Sequence, residues 1–168
     1  MLTEQNMNRI EIRDYEPRYR AAFRDLNLEW IIRYFEVEPS DVEVLENPEP
    51  AILDRGGSIF VACEGSTVAG VCALMNAGDG VYQLAKMAVS PAFQGRGIGR
   101  LLAEAAIDRA RSIGAREVEL FTNDMLLPAM SLYTSLGFRQ VPVGGAGHRR
   151  SNVRMVLSLS PTENPVGT

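Results

Sequence analysis

The sequence predicts one α+β domain in which a mixed, mostly antiparallel sheet lies between helices on both faces. The chain has 168 residues, about the size of one domain, and 46% of them are hydrophobic, which is enough for one sizeable core. Three consecutive strand-like runs near its middle are joined by short turns, which requires antiparallel pairing. A helical pattern separates the third run from a fourth, which is typical of a parallel crossover. We place the domain at residues 9–159 and expect flexible tails at residues 1–8 and 160–168.

The N-terminal part predicts one strand followed by a helical layer. The segment RIEIRDY alternates in polarity like a strand, and Pro17 then begins a helical pattern. Apolar residues recur at helical spacing at Phe23, Leu26, Trp30 and Tyr34. We expect this helix to break near Asn27. A second, short helix is expected to end at Gly56 and Gly57, because glycine commonly follows the last residue of a helix.

The central and C-terminal parts predict the sheet and two more helices. SIFVACEGSTVAGVCALM is typical of two strands around Gly65 and Ser66, and AGDG turns the chain into the third strand, VYQLAKMAV. The next helix is expected to end at Gly114, and its core face is predicted at Ile98, Leu101, Leu102, Ala105 and Ile113. REVELFT is then a strand parallel to the third one. A helix in PAMSLYTSL stops at Gly137, and FRQVPV and NVRMVLSL close the sheet as a strand pair.

Composition excludes several classes of protein. A net charge of −4 argues against a general nucleic-acid binder, which needs a clustered basic surface. No apolar run approaches the roughly 18 residues of a bilayer span and no signal pattern is present, so we expect a soluble, cytoplasmic protein that binds no membrane. Cys63 and Cys72 are too few for a disulfide framework and are expected to be reduced core residues. Because His148 is the single histidine, we expect no metal site.

The strand-to-helix turn in MAVSPAFQGRGIGRLLAEAA carries three glycines and two arginines, at Gly95, Arg96, Gly97, Gly99 and Arg100. The first N–H groups of a helix have no backbone partners and lie at the positive end of its dipole. The glycines let a phosphate approach this backbone, and the arginines add positive charge, so the pattern indicates a phosphate site. A Walker loop is excluded because no lysine follows Gly99, and a dinucleotide fingerprint is excluded because position 100 is arginine.

These residues resemble the GNAT (Gcn5-related) N-acetyltransferase family. QGRGIG matches the family's Q/R-x-x-G-x-G/A pyrophosphate loop, with Gln94, Gly97 and Gly99 on the pattern positions. LAKMAVSPAFQGRGIGRLL is similar to the family's fourth strand and third helix, and FTNDMLLPAMSLYTSLGF to its fifth strand and fourth helix. The likeness follows residues 9–159 in element order and is specific over residues 84–138. It implies the acyl-CoA N-acyltransferase fold with a parallel pair of fourth and fifth strands, acetyl-CoA as co-substrate and no metal.

The resemblance also implies the site residues. Acetyl-CoA is expected to bind at Met87, Ala88, Val89, Gln94, Gly95, Arg96, Gly97, Ile98, Gly99, Arg100, Asn123 and Ala129. In the family the pantetheine arm enters a gap beside the fourth strand, so the backbone of residues 87–89 is expected to hold it. Tyr133, in MSLYTSLGF, stands where the family commonly places the tyrosine that protonates the leaving thiolate. The alternatives are a packing role for Tyr133 and a strand-end turn role for Asn123.

The general base is the point at which the chain departs from many family members. Those members carry a glutamate on the fourth strand, and the matching residue here is Gln83, which cannot accept a proton. We expect Gln83 to hold an ordered water instead. Glu29, Glu36 and Glu119 are expected to be solvated charges. We also expect four residues in and near the loop between the last two strands to be exposed, namely His148, Arg149, Arg150 and Arg154.

Two functions from different classes fit these residues. The first is an N-acetyltransferase that transfers an acetyl group from acetyl-CoA to a primary amine of a small molecule or a protein, by direct attack in a ternary complex. The second is a non-catalytic acyl-CoA sensor that binds through the same loop and passes the signal to a partner. Tyr133 favours the enzyme. The acids of residues 29–41 indicate a cationic acceptor, and the resemblance leaves a homodimer open because dimerisation is common in the family.

Overall fold

A seven-stranded sheet with helices on both faces makes up the computed structural model, which describes residues 9–144 and 151–159. The strands are β1 (Ile10–Asp14), β2 (Ser58–Glu64), β3 (Thr67–Gly78), β4 (Val81–Val89), β5 (Glu117–Thr122), β6 (Arg139–Val141) and β7 (Val153–Ser158). The helices are α1 (Arg20–Tyr34), α2 (Pro39–Glu46), α3 (Pro48–Ala51), α4 (Ile98–Ser112) and α5 (Leu127–Ser135). Short 3-10 turns lie at Pro17–Tyr19, Leu53–Arg55 and Pro91–Phe93. The tails predicted to be flexible, and His148, Arg149 and Arg150, lie outside the described residues.

The strands follow the order β1-β2-β3-β4-β5-β7-β6 across the sheet. Strands β2 to β4 form an antiparallel meander, and β1 pairs antiparallel with β2. Strands β4 and β5 are parallel, and β7 pairs antiparallel with both β5 and β6. The crossover through α4 explains the parallel pair, because a parallel neighbour needs a connection that returns the chain to the starting edge. The α+β class, the meander and the parallel β4–β5 pair are therefore confirmed.

Side chains alternate along the strands and divide the core into two clusters, one on each face of the sheet. On one face, which we call the α4 face, Leu102 of α4 packs in a cluster with Leu84 and Leu120. On the other, the α1 face, Phe23 of α1 packs in a cluster with Val71. Within the described residues, the α1-face cluster includes none from β5, β6 or β7. The helices on this face therefore cover the half of the sheet that ends at β4.

Helix α1 is unbroken, so the break expected near Asn27 is wrong. Asn27 is 2% exposed, and its Nδ2 donates a hydrogen bond to the Phe23 carbonyl oxygen 2.9 Å away. This bond satisfies the amide within its own helix, so a buried polar side chain does not interrupt the helix. The buried stripe is Phe23, Asn27 and Ile31, whereas Tyr34, which the spacing predicts on the core face, is exposed.

Helix α4 packs on the sheet through a different stripe from the one expected. Leu101 and Ile113, predicted on the core face, are exposed. The buried residues of the helix are Ile98, Leu102, Ala103, Ala106, Ile107 and Ala110. Three of these six are alanines, whose short side chains let the helix approach the sheet closely. The positions of the large apolar residues are therefore a poor guide to the buried face of this helix.

Both cysteines are free and buried, as predicted, with Cys63 in β2 and Cys72 in β3. Their side chains lie on opposite faces of the sheet, Cys63 in the α1-face cluster and Cys72 in the α4-face cluster. They therefore cannot form a disulfide with each other. Within residues 9–144 and 151–159, no helix combines the length and the apolar character that crossing a bilayer requires.

We expect Leu102→Ala to lower the free energy of unfolding by about 2 to 5 kcal/mol, because shortening a fully buried leucine leaves a cavity. Leu101→Ala is the matched control, since it makes the same change one residue away on an exposed side chain, and it should cost less than about 1 kcal/mol. Urea denaturation of both variants measures the difference. Equal losses of stability would contradict the assignment of the buried face.

Candidate active site

Strands β4 and β5 are paired at one end only. The parallel ladder joins residues 81–83 of β4 to residues 117–119 of β5, and no pairing continues beyond Gln83 and Glu119. The remaining residues, 84–89 and 120–122, border a gap in the sheet. Backbone groups along such a gap can pair with an extended ligand in the same way that a sheet edge accepts another strand.

A bulge in β4 lies beside this gap. The register between β3 and β4 shifts, so that Lys86 and Met87 of β4 together oppose Cys72 of β3. Lys86 has a φ of +53°, a left-handed conformation that is uncommon outside glycine. A bulge bends its strand and re-aims the residues that follow it, which here are Met87, Ala88 and Val89, the predicted contacts of the pantetheine arm.

The glycine loop connects the end of β4 to α4, and Gln94 is exposed at its start. Gly95 and Gly97 have φ values of +80° and +75°, and Gly97 is the N-cap of α4. A β-carbon at either position would meet no atom within 4 Å, so backbone conformation rather than crowding requires glycine there. The space in front of the loop adjoins the N–H groups of the first helical turn, an arrangement that binds anions.

Arg96 and Arg100 flank the loop, and both have carboxylate partners in the structure. Arg96 Nη2 lies 2.6 Å from Glu64 Oε2. Arg100 donates a hydrogen bond to Ser135 Oγ, and its Nη1 lies 3.7 Å from Glu104 Oε1. Both arginine side chains are more than a third exposed, so these ion pairs are solvated and weak. An anion bound in the loop would therefore compete with two glutamates for the arginines.

Tyr133 of α5 lies against the bulge. Its hydroxyl is 3.9 Å from Met87 Sδ, within the range of a weak hydrogen bond to sulfur. Desolvation raises the pKa of Tyr133 to about 12, and the nearby Cys72 thiol acts in the same direction. The hydroxyl is therefore protonated throughout the neutral pH range. A β-carbon at Gly99 would lie 3.7 Å from Met87 Sδ and 3.5 Å from Leu132, so α4, β4 and α5 converge at this point.

The other predicted coenzyme contacts lie around the gap. Ala88, near the end of β4, and Ile98, the first residue of α4, are both buried. Asn123 Oδ1 accepts a hydrogen bond from the Met125 N–H 2.9 Å away, which gives Asn123 the geometry of a turn residue at the end of β5. Ala129 is half-buried in the first turn of α5.

Gln83 and Glu119 stand opposite each other at the last pair of the parallel ladder. Both side chains belong to the α1 face, because side chains alternate along a strand and the adjacent Leu84 and Val118 are in the α4-face cluster. Gln83 is half-buried. Gln83, whose amide does not titrate, thus has the carboxylate of Glu119 as its neighbour on the next strand.

The prediction that Glu119 and Arg154 are solvated charges is wrong. Glu119 Oε2 accepts hydrogen bonds from Arg154 Nε and Nη2, at 3.1 and 2.8 Å, and the two side chains are 13% and 29% exposed. The pairing of β5 with β7 brings them together, and no short-range pattern in the sequence indicates it. Glu29 and Glu36 are exposed, as predicted.

A second ion pair connects the bulge to α2. Lys86 Nζ lies 3.5 Å from Asp41 Oδ1, and the Asp41 side chain is 5% exposed. Asp41 Oδ2 accepts a hydrogen bond from the Glu38 N–H at 2.8 Å, as part of a capping box at the start of α2. Neither Lys86 nor Asp41 stands out in the sequence, because no local motif links the two positions.

These features together suit an extended ligand that carries phosphates at one end. The gap leaves backbone groups unpaired along an extended path, the glycine loop has the geometry of an anion site, and Tyr133 holds a proton beside the bulge. In the part of the chain that the structure describes, no group of three or more His, Cys, Asp or Glu side chains could hold a metal ion. A parallel pair that separates beside a glycine loop is the arrangement that the resemblance to the GNAT family implies.

The chain belongs to the acetyltransferase (GNAT) family, whose model matches residues 9–138. The uncharacterized N-acetyltransferase YvbK of Bacillus subtilis is 30% identical over 102 residues, which cover 59% of this chain and 66% of that protein. The uncharacterized N-acetyltransferase YjgM of Escherichia coli is 34% identical over 103 residues, which cover 59% of this chain and 62% of that protein. The match thus spans just under two thirds of each relative's length.

Solved structures share the fold at lower sequence identity. An acetyltransferase of the GNAT family from Staphylococcus aureus Mu50 has a TM-score of 0.81 at 22% identity, and the match covers 90% of this chain and 99% of that one. YncA from Salmonella typhimurium, solved with its cofactor acetyl-CoA, has a TM-score of 0.74 at 23% identity, covering 96% of this chain and 100% of that one. The fold predicted from the sequence is therefore confirmed.

Proposed function

We propose that the protein is an acetyl-CoA-dependent N-acetyltransferase that acetylates a primary amine of a small molecule or a protein by direct attack in a ternary complex. The observation that carries the proposal is the gap between β4 and β5, which both the glycine loop and Tyr133 adjoin. Acetyl-CoA is long and narrow, with phosphates towards one end and a thioester at the other, and so matches this series of features. The acetyl-CoA in the similar YncA structure supports the choice of acyl donor.

Each part of acetyl-CoA has a proposed contact. The pyrophosphate accepts hydrogen bonds from backbone N–H groups of residues 95–100, where Gly95 and Gly97 hold no side chain in front of the backbone. The pantetheine arm pairs with the backbone of residues 87–89 on the open side of β4. Asn123 and Ala129 border the arm from the β5–α5 side.

Few groups are needed for acetyl transfer once the reactants are aligned. The neutral amine nitrogen attacks the thioester carbonyl carbon, and an N–H of residues 87–89 stabilises the oxygen as it becomes negative. The carbon–sulfur bond then breaks, and Tyr133 donates its proton to the departing thiolate. The raised pKa of Tyr133, about 12, ensures that this proton is present beforehand. The products are the N-acetylated amine and coenzyme A, and solvent reprotonates the tyrosine.

The proton of the amine requires an acceptor. A lysine-like ammonium has a pKa near 10.4, so at pH 7 only about one molecule in a few thousand is a competent nucleophile. The amide of Gln83 cannot titrate, but it can hold a water molecule through hydrogen bonds. We assign the removal of the proton to that water, which passes it to solvent.

A second candidate function is a non-catalytic acyl-CoA sensor that binds its ligand through the same loop. Gln83 favours it, because no titratable group occupies the position at which many acetyltransferases of the family hold a glutamate. Thiol release from acetyl-CoA in the presence of a panel of amines separates the two functions. An enzyme releases thiol with at least one amine, whereas a sensor binds acetyl-CoA and releases none.

We expect acetyl-CoA to stabilise the fold, by roughly 2.7 kcal/mol at about a hundred times its dissociation constant. Gly97→Asp should abolish this effect in thermal denaturation, because it places a negative charge where the phosphates bind. Gly114→Asp is the matched control: it makes the same change at a glycine of similar φ, +78°, just beyond the other end of α4. A wild type without stabilisation, or a Gly97→Asp variant that keeps it, would refute the proposed binding site.

The role of Tyr133 is tested by Tyr133→Phe, which should lower kcat by ~10²–10⁴-fold because only the proton for the thiolate is lost. Stabilisation by acetyl-CoA should be unchanged, since the ring and its packing remain. Tyr82→Phe removes the hydroxyl of another tyrosine packed on the α4-face cluster and should leave kcat unaltered. If Tyr133→Phe matches the wild type while chemistry limits the rate, Tyr133 has a packing role instead.

The water at Gln83 predicts the pH dependence of the reaction. kcat/KM should rise with pH up to the pKa of the acceptor amine and show no enzyme ionisation at roughly pH 6 to 8. No fall is expected below about pH 10, because the pKa of Tyr133 is raised to about 12 and the acid remains protonated. Gln83→Glu should introduce an ionisation that the wild type lacks. A wild-type ionisation that disappears in Glu119→Gln or Glu29→Gln would identify a side-chain base and overturn the water mechanism.

A further inference from the structure

The two faces of the sheet differ in how far the described residues cover the gap. On the α4 face, Met87 and Tyr133 are in contact and Gly99 lies against Met87, so this side is filled. On the α1 face, the cluster under α1 and α2 ends at β4 and includes no described residue of β5 or β7. An acceptor therefore reaches the thioester across the α1 face of β5 and β7.

The ion pair of Glu119 and Arg154 lies on this approach. Arg154 uses Nε and Nη2 to hold one carboxylate oxygen, Oε2, of Glu119. Among the described residues, neither Arg154 Nη1 nor Glu119 Oε1 makes a hydrogen bond. Both side chains are partly accessible, at 29% and 13% exposure. The pair thus presents unused N–H donors and an unused carboxylate oxygen side by side.

Charges on the two sides of this approach balance. The Lys86–Asp41 pair lies towards α2, and the Glu119–Arg154 pair lies on β5 and β7. Each pair contributes one cation and one anion, so neither side attracts a polycation. Of the acids that indicate a cationic acceptor, Asp41 is paired with Lys86, Glu36 is exposed, and Glu29 borders a pocket together with Arg33, which carries the opposite charge.

We infer that the acceptor is a zwitterionic small molecule, an α-amino acid or a close analogue, which is bound by the Glu119–Arg154 pair. Its carboxylate accepts hydrogen bonds from the free donors of Arg154, and its ammonium donates to Glu119 Oε1. This inference rests on the proposed acetyltransferase function and adds the class of its acceptor. A molecule with one charge of each sign satisfies both halves of the ion pair at once.

The chemistry of the two side chains supports this assignment. A guanidinium has five N–H donors in a planar fork that matches a carboxylate. Glu119 engages two of the donor nitrogens, and no other residue that the structure describes engages the third, Nη1. Partial burial strengthens such contacts relative to the same contacts in water. Glu119 is also in register with Gln83, so an ammonium bound at Glu119 lies near the water that takes its proton. The neutral amine is then free to attack.

The test compares L-α-amino acids with the carboxamide of each as acceptors, with thiol release from acetyl-CoA as the readout. The carboxamide keeps the size of the amino acid and removes the carboxylate. Its amine is also less basic and therefore more often neutral, so a preference for the acid cannot arise from intrinsic reactivity. We expect the wild type to prefer at least one amino acid over its carboxamide by about 10- to 100-fold in kcat/KM, the range for hydrogen bonds to charged groups.

Arg154→Gln should remove this preference, mainly through a higher KM for the amino acid, while the carboxamide reacts as before. Arg154→Lys keeps the charge without the fork and should restore the preference in part. Arg111→Gln is the matched control, because it removes an exposed arginine from α4 on the opposite face. If Arg154→Gln fails to fold, the double variant Glu119→Gln/Arg154→Gln replaces both charges and avoids leaving an unpaired glutamate. Stabilisation by acetyl-CoA reports folding in every variant.

Three results would overturn the inference. One is a wild type that accepts carboxamides as well as amino acids. Another is an Arg154→Gln variant that loses activity equally towards both kinds of acceptor, which would give the ion pair a purely structural role. The third is an absence of thiol release with every amine despite acetyl-CoA binding, which refutes the proposed enzyme and this inference with it. The first two leave the acetyltransferase function intact, so the two failures are distinguishable.

Discussion

The parallel pairing of β4 with β5 stops after three residues, and the rest of the site depends on that separation. Interior strands normally pair along their length, because unpaired backbone groups away from water are costly. Here the α4-face cluster spans both strands and holds them in one sheet although their ladder is short. The bulge at Lys86 and Met87 re-aims the β4 backbone beside the opening, and the glycine loop follows directly after the strand. An extended ligand in the opening would supply the hydrogen bonds that the sheet lacks.

Capture of a polyanion by this protein would depend on a local site such as the glycine loop. The protein has a net charge of −4, so it exerts no long-range attraction on a polyanion. The arginines of the loop have carboxylate partners in Glu64 and Glu104, which leaves the backbone N–H groups of α4 as the part of the site without a competing anion. A single phosphate would gain little binding free energy from such a loop. A pyrophosphate attached to an arm that also fills the gap would gain binding free energy from both contacts.

Features that depend on neighbouring residues were predictable from the sequence. The meander follows from short turns, the parallel pair from a helical crossover, and the strand-to-helix turn before α4 from three glycines in five residues. The buried face of α4 could not be predicted, because alanines rather than the larger Leu101 and Ile113 pack on the sheet. The bulge could not be predicted either, because the strand-like pattern of VYQLAKMAV continues through Lys86. The pair of Glu119 and Arg154 is formed by residues 35 positions apart on different strands, so no local motif indicates it.

Lys86 has two structural roles. Its backbone is the left-handed residue of the bulge, and its side chain pairs with Asp41 in the first turn of α2. The ion pair is therefore a tether between α2 and the bulge that borders the gap between β4 and β5. A displacement of α2 that lengthens the 3.5 Å contact also pulls on the bulge. Linkage makes such coupling reciprocal, so an acceptor that repositions α2 and a donor that repositions the bulge change each other's affinity by the same factor. In such a case the Lys86 side chain would transmit the movement of one element to the other.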